Sequence, residues 1–112
     1  MRTVVELPAF QRRIDKLLSK AEREELIAFL ARNVEAGDEI PGTGGLRKIR
    51  FGTGARGKRS GVRIIYYYFD DAAPVYALLI YGKGEQVRLT PEQTRKVAAF
   101  AQAIKRAARE KR

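Results

Sequence analysis

Apolar and polar residues recur along this chain with two different periods, and the switches between them mark out the elements. Thr3–Leu7 carries the apolar pair Val4-Val5 and reads as a short strand, ended by Pro8, which also suits the first turn of a helix. Phe10, Ile14, Leu17 and Leu18 follow at helical spacing, with Arg12, Arg13, Asp15 and Lys16 on the opposite side. Ser19-Lys20-Ala21-Glu22 has the form of a capping box, in which the serine hydroxyl accepts from the Glu22 amide and the glutamate reaches back to the serine amide. A second helix starts there, buries Leu26, Ile27, Leu30 and Val34, and ends near Gly37. Almost nothing joins the two helices, so an antiparallel helical hairpin is expected, with both apolar stripes in the core.

Beyond Gly37 the period changes. Ile40–Gly45 is a loop by composition, and Leu46–Phe51 alternates as a strand, with Lys48 and Arg50 on one face and Arg47 on the other. Gly52–Gly61 is expected to be a long, mobile, cationic connection. Val62–Phe69 and Val75–Tyr81 are the strongest strand signals, joined by Asp70-Asp71-Ala72-Ala73-Pro74. Both faces of the first are apolar except at Arg63, which implies a central strand covered on two sides. In the second, strict alternation places Val75, Ala77, Leu79, Tyr81 and then Lys83 on one face. An antiparallel hairpin of the two brings Arg63 near Tyr81 and Lys83. Thr90-Pro91-Glu92-Gln93 caps a last helix with the stripe Val97, Phe100, Ala101 and Ile104, and its basic end, about 105–112, is expected to fray. No internal repeat or linker interrupts this order.

Composition turns the pattern toward a function. A chain of 112 residues has room for one domain, taken as 1–112, with one modest core and one site. Its formal charge of +10 is lopsided: residues 1–40 hold 7 Lys/Arg against 8 Asp/Glu, net −1, and residues 41–112 hold 16 against 5, net +11. Seven of those cations (Arg47, Lys48, Arg50, Arg56, Lys58, Arg59, Arg63) lie between Gly42 and Arg63 with no acid among them and glycines interleaved. Such a face suits nucleic acid or an acidic protein. A membrane partner is disfavoured by short apolar runs and the lack of an interfacial helix pattern. The first residues do not read as a signal peptide, so a cytoplasmic protein is expected.

There is no cysteine and no histidine. Thiolate nucleophiles, disulfides, zinc sites of the usual type and imidazole acid/base chemistry are thereby excluded. The basic half offers only Asp70-Asp71, Glu85, Glu92 and Glu110 as carboxylates, without metal-ligand spacing, so a metal-free, cofactor-free site is expected.

Three runs, Pro41–Arg50 (PGTGGLRKIR), Lys58–Tyr67 (KRSGVRIIYY) and Leu79–Glu85 (LIYGKGE), occur in the element order β-α-α-β-β-β-α. Together they resemble the RelE/HigB superfamily of toxins from bacterial toxin–antitoxin systems, and its HigB-type branch in particular. The resemblance spans nearly the whole chain. It implies an α+β, RelE-like compact fold: a largely antiparallel sheet packed by a helical hairpin and a C-terminal helix. It further implies an mRNA interferase that cuts message in the ribosomal A site. Neutralisation would come from a HigA-like antitoxin with a helix-turn-helix domain, through which alone the toxin would meet operator DNA, the free toxin being a monomer. By position Arg63 matches the family's strand arginine and Lys83 its late lysine.

Metal-free RNA cleavage needs the 2′-hydroxyl aligned on phosphorus, a base for its proton, charge at the developing oxyanion and an acid for the leaving oxygen. Arg63 suits the oxyanion, because a planar fixed charge matches a phosphate whose charge grows. Lys83 can assist it. Tyr81 can stack on a base or donate a proton, and Glu85 is the nearby carboxylate available as base. Arg47, Lys48, Arg50, Arg56, Lys58 and Arg59 are expected to hold RNA backbone as salt-sensitive positioning contacts. Two other readings remain open: a ParE-like poison of DNA gyrase on a related fold, and a nucleic-acid-binding module that does no chemistry.

Overall fold

The computed structural model describes residues 3–53, 57–70, 73–82, 84–85 and 90–110, the side chains of 53 and 57–60 excepted. The chain runs β1 (Val4–Glu6), α1 (Pro8–Leu17), α2 (Lys20–Arg32), β2 (Asp38–Glu39), β3 (Leu46–Thr53), β4 (Gly57–Tyr67), β5 (Val75–Tyr81) and α3 (Pro91–Glu110). Proline sets the start of α1, and side chain–backbone bonding those of α2 and α3. Pro8 opens α1 behind an extended Leu7. At α2 the Glu22 amide donates to Ser19 Oγ at 3.2 Å and the Ser19 amide to Glu22 Oε1 at 2.8 Å. At α3 the Gln93 amide donates to Thr90 Oγ1 at 3.1 Å and the Thr90 amide to Gln93 Oε1 at 2.9 Å. Helix α3 runs to Glu110, and Lys105 Nζ sits 5.8 Å from the centre of the Phe69 ring. Among the described residues no helix is long and apolar enough to cross a membrane.

The five strands form one sheet in the order β1-β5-β4-β3-β2, parallel at β1–β5 and antiparallel elsewhere. Helices α1 and α2 cover one face, where Phe10, Ile14, Leu26 and Leu30 meet Ile64, Tyr66, Val75, Ala77 and Ile80. Helix α3 covers part of the other, where Ala101, with Val97, Phe100 and Ile104 around it, meets Leu46, Ile65, Tyr67, Leu78 and Tyr81. The expected α+β architecture is observed, with three differences that shape the site.

First, the pairing of β4 with β5 slips. Ile65 faces Leu79 but Tyr66 faces Ala77, so Leu78 is an extra residue on β5. A bulge of this kind reverses the alternation of side chains beyond it. Val75 and Ala77 therefore face the helical hairpin, whereas Leu79 and Tyr81 face α3, correcting the single face expected for all four. Second, the cationic connection expected over Gly52–Gly61 is mostly strand, because Thr53 pairs with Gly57 across a register shift after Phe51. Gly61 is required there, since a Cβ would run into the Phe51 carbonyl.

Third, Asp38 and Glu39 form a short edge strand that two-residue periodicity could not reveal. Tyr66 holds this segment in place. Its buried hydroxyl donates to the Val34 carbonyl at 2.9 Å and accepts from the Gly37 amide at 2.8 Å, fixing the chain between α2 and β2. Burial raises the Tyr66 pKa, so the group remains a neutral donor. Tyr66→Phe is expected to lower stability by about 2 kcal/mol in urea unfolding, because it strands a buried amide and a buried carbonyl. A loss below ~0.5 kcal/mol would show that water takes over both groups.

Candidate nucleic-acid interface

Strand register assembles the site. Arg50 on β3 lies directly opposite Arg63 on β4, which lies directly opposite Tyr81 on β5. Directly paired residues share a face, with Cβ atoms about 4.5–5.5 Å apart. Two residues along β3, Lys48 pairs with Ile65 on one side and with Asp38 of β2 on the other. Asp38, Lys48, Arg50 and Arg63 thus occupy the face that α3 covers only at its other end. They line a depression of roughly 510 Å³ together with Ala36 and Ile49. Asp38, Lys48 and Arg50 are exposed and Arg63 is half-buried. None of the four side chains makes a hydrogen bond or ion pair among the described residues.

That arrangement is costly for folding. Like charges directly across a sheet destabilise it, and a half-buried guanidinium without a carboxylate loses solvation as well. A fold that needed Arg50 and Arg63 only for structure would pair them, as it pairs Arg13, Arg23 and Arg47. Arg23 bonds Glu6 at 3.0 Å and Asp15 at 2.7 Å. Arg47 donates to the carbonyls of Glu35 and Gly37 at 3.1 and 2.8 Å and lies 3.4 Å from Glu39. The cations on the depression have no such partner among the described residues.

The other expected site residues fall differently. Arg47 faces the helical hairpin, and its guanidinium is committed to holding β2, so it is not free to hold RNA. Glu85 is far from the free base that was expected. Both its oxygens accept from Arg13 Nη2, at 2.5 and 2.6 Å, and Oε1 also accepts from the Gly82 amide at 2.9 Å. The Arg13 bond, and after it the Gly82 amide, hold its carboxyl below the usual range, which weakens it as a proton acceptor. Tyr81 is buried against α3, with a hydroxyl that has no partner among the described residues. Burial pushes its pKa up to about 12, against the opposing charge of Arg63. A covered ring cannot stack on a base, so packing accounts for Tyr81 better than catalysis. Lys83 and Arg56 lie outside the described residues, as do the side chains of Lys58 and Arg59. Asp38 was missed, because nothing in the local pattern places it beside Lys48.

No family model matches the chain. Among solved structures, the isolated E. coli RelE toxin superposes with a TM-score of 0.50 at 20% sequence identity, over 96% of this chain and 99% of that one. The chain therefore has the α+β fold of that toxin. At this identity the likeness concerns the fold and not the chemistry.

Proposed function

We propose that the protein is a RelE-type toxin of the HigB-like branch: a metal-independent endoribonuclease that cuts message in the ribosomal A site of the cytoplasm. The observation that carries this reading is the outward pair Arg50 and Arg63, opposed across β3 and β4 without a carboxylate between them. Their two planar forks suit a phosphodiester whose charge grows during attack by the neighbouring 2′-hydroxyl. Arg63 serves as the oxyanion clamp in this reading, supported by its half-burial, where its charge is less screened. Lys48 and Arg50 hold the flanking backbone, and Lys83, Lys58, Arg59 and Arg56 extend the basic track by sequence. Glu85 and Arg47 have supporting roles. A HigA-like helix-turn-helix antitoxin is the proposed partner, binding a toxin that is monomeric when free.

An exposed clamp on a sheet face orients one phosphate but leaves the rest of the substrate free. Alignment of the 2′-hydroxyl must then come from elsewhere, and a message held in a ribosome supplies it. Purified protein is expected to cut naked RNA poorly and ribosome-bound message efficiently. Mapping message 5′ ends by primer extension after induced expression tests this reading: new ends within codons support it. Gyrase-linked DNA breaks would favour the ParE-like reading, and absence of both a non-catalytic binder.

A further inference from the structure

With Glu85 clamped by Arg13, the proposed cleavage lacks a proton acceptor, and the carboxylate on the depression is Asp38. We infer that Asp38 is the general base that takes the proton of the attacking 2′-hydroxyl, an assignment that rests on the nuclease reading above. The two acids of β2 are used differently. Glu39 faces Arg47 on the hairpin side, where it lies 3.4 Å from the guanidinium. Asp38 points to the other face, opposite Lys48, and keeps its carboxylate unpaired among the described residues.

Strand spacing sets the reach. From Asp38 to Arg63 the path crosses two strand gaps and moves two residues along, which separates their Cα atoms by about 12 Å. An arginine and an aspartate leaning toward one another across that span leave room for one nucleotide's phosphate and 2′-hydroxyl. The anchoring of Gly37 by Tyr66 and of the Gly37 carbonyl by Arg47 fixes the backbone just before Asp38, so the carboxylate is held by rigid neighbours.

The step balances. Asp38 takes the 2′-hydroxyl proton as the 2′-oxygen bonds to phosphorus, and Arg63 holds the charged non-bridging oxygens. The bond from phosphorus to the 5′-oxygen breaks, and that oxygen takes a proton from solvent. The products are a 2′,3′-cyclic phosphate and a 5′-hydroxyl, and Asp38 returns its proton to water. No oxidant, reductant or metal enters the balance.

The test is single-turnover cleavage of message on programmed ribosomes across a pH series by the wild type, Asp38→Asn, Asp38→Glu and Glu39→Gln. Asp38→Asn should slow cleavage about a hundredfold or more, since general base catalysis is typically worth 10²–10⁴-fold. Ribosome affinity and melting temperature should be unchanged, and the fall in rate on the acid side of the wild-type profile should disappear. Asp38→Glu should recover part of the rate, and Glu39→Gln should cleave as the wild type. Cleavage by Asp38→Asn within about twofold of wild type with the same pH profile would overturn the assignment while leaving the nuclease reading intact. Failure of the wild type to cleave at any pH would overturn both.

Discussion

Arg63→Ala should abolish growth arrest and RNA cleavage without harming the fold. Removing one preorganised charge at a developing oxyanion typically costs about 3–4 kcal/mol, a factor on the order of a thousand in rate. In the folded protein the same charge is a burden. It is half-buried, lies directly opposite Arg50 and has no acidic partner among the described residues, so its loss relieves repulsion. The two effects have opposite signs: activity falls while the melting temperature holds or rises. Arg63→Lys keeps the charge but not the planar fork, and an intermediate rate is expected. Measuring single-turnover cleavage beside thermal unfolding separates site from scaffold. Growth arrest by Arg63→Ala at wild-type protein levels would overturn the assignment, and a large fall in melting temperature would mean that the arginine serves the fold.

On the proposed reading, association with an antitoxin should be fast at low salt and slow by at least tenfold at high salt. The net +11 over residues 41–112, against −1 over 1–40, gives the β3–α3 part of the chain a field toward which an acidic partner segment would be steered. An acidic segment that folds on binding would meet this field before it makes its specific contacts. Exposed charges farther apart than about 8–10 Å are screened at physiological ionic strength, so the rate should be far more salt-sensitive than any apolar contact made later. Stopped-flow association from low to high salt reads this directly. A rate indifferent to ionic strength would show that the partner finds another surface first.

Much of the scaffold was legible before any coordinates. The boxes Ser19/Glu22 and Thr90/Gln93 form as the spacing required, and the stripes of Phe10 and Ile14 and of Ala101 bury as their period predicted. The antiparallel pairing that sets Arg63 beside Tyr81 was also readable, because two strong strands joined by a short turn leave little choice of partner. The site was read less well. Glu85 and Tyr81 carry the right functional groups in the right stretch. Yet one is spent on Arg13, 72 residues away in the chain, and the other lies under α3. Asp38 sits in a stretch with no period to read.

The division follows from the range of the forces. Caps, turns and amphipathic stripes depend on bonds and contacts within a few residues, so composition and spacing alone determine them, and with them the element order and the imbalance of charge. The face presented by a β-strand depends on the parity of its register, and one extra residue at Leu78 reverses it without a local signal. Whether a charged group is free or spent depends on which distant residue the fold brings beside it. Only the tertiary structure decided that Arg47 and Glu85 are tied to the scaffold and that Asp38, Lys48, Arg50 and Arg63 share one open face.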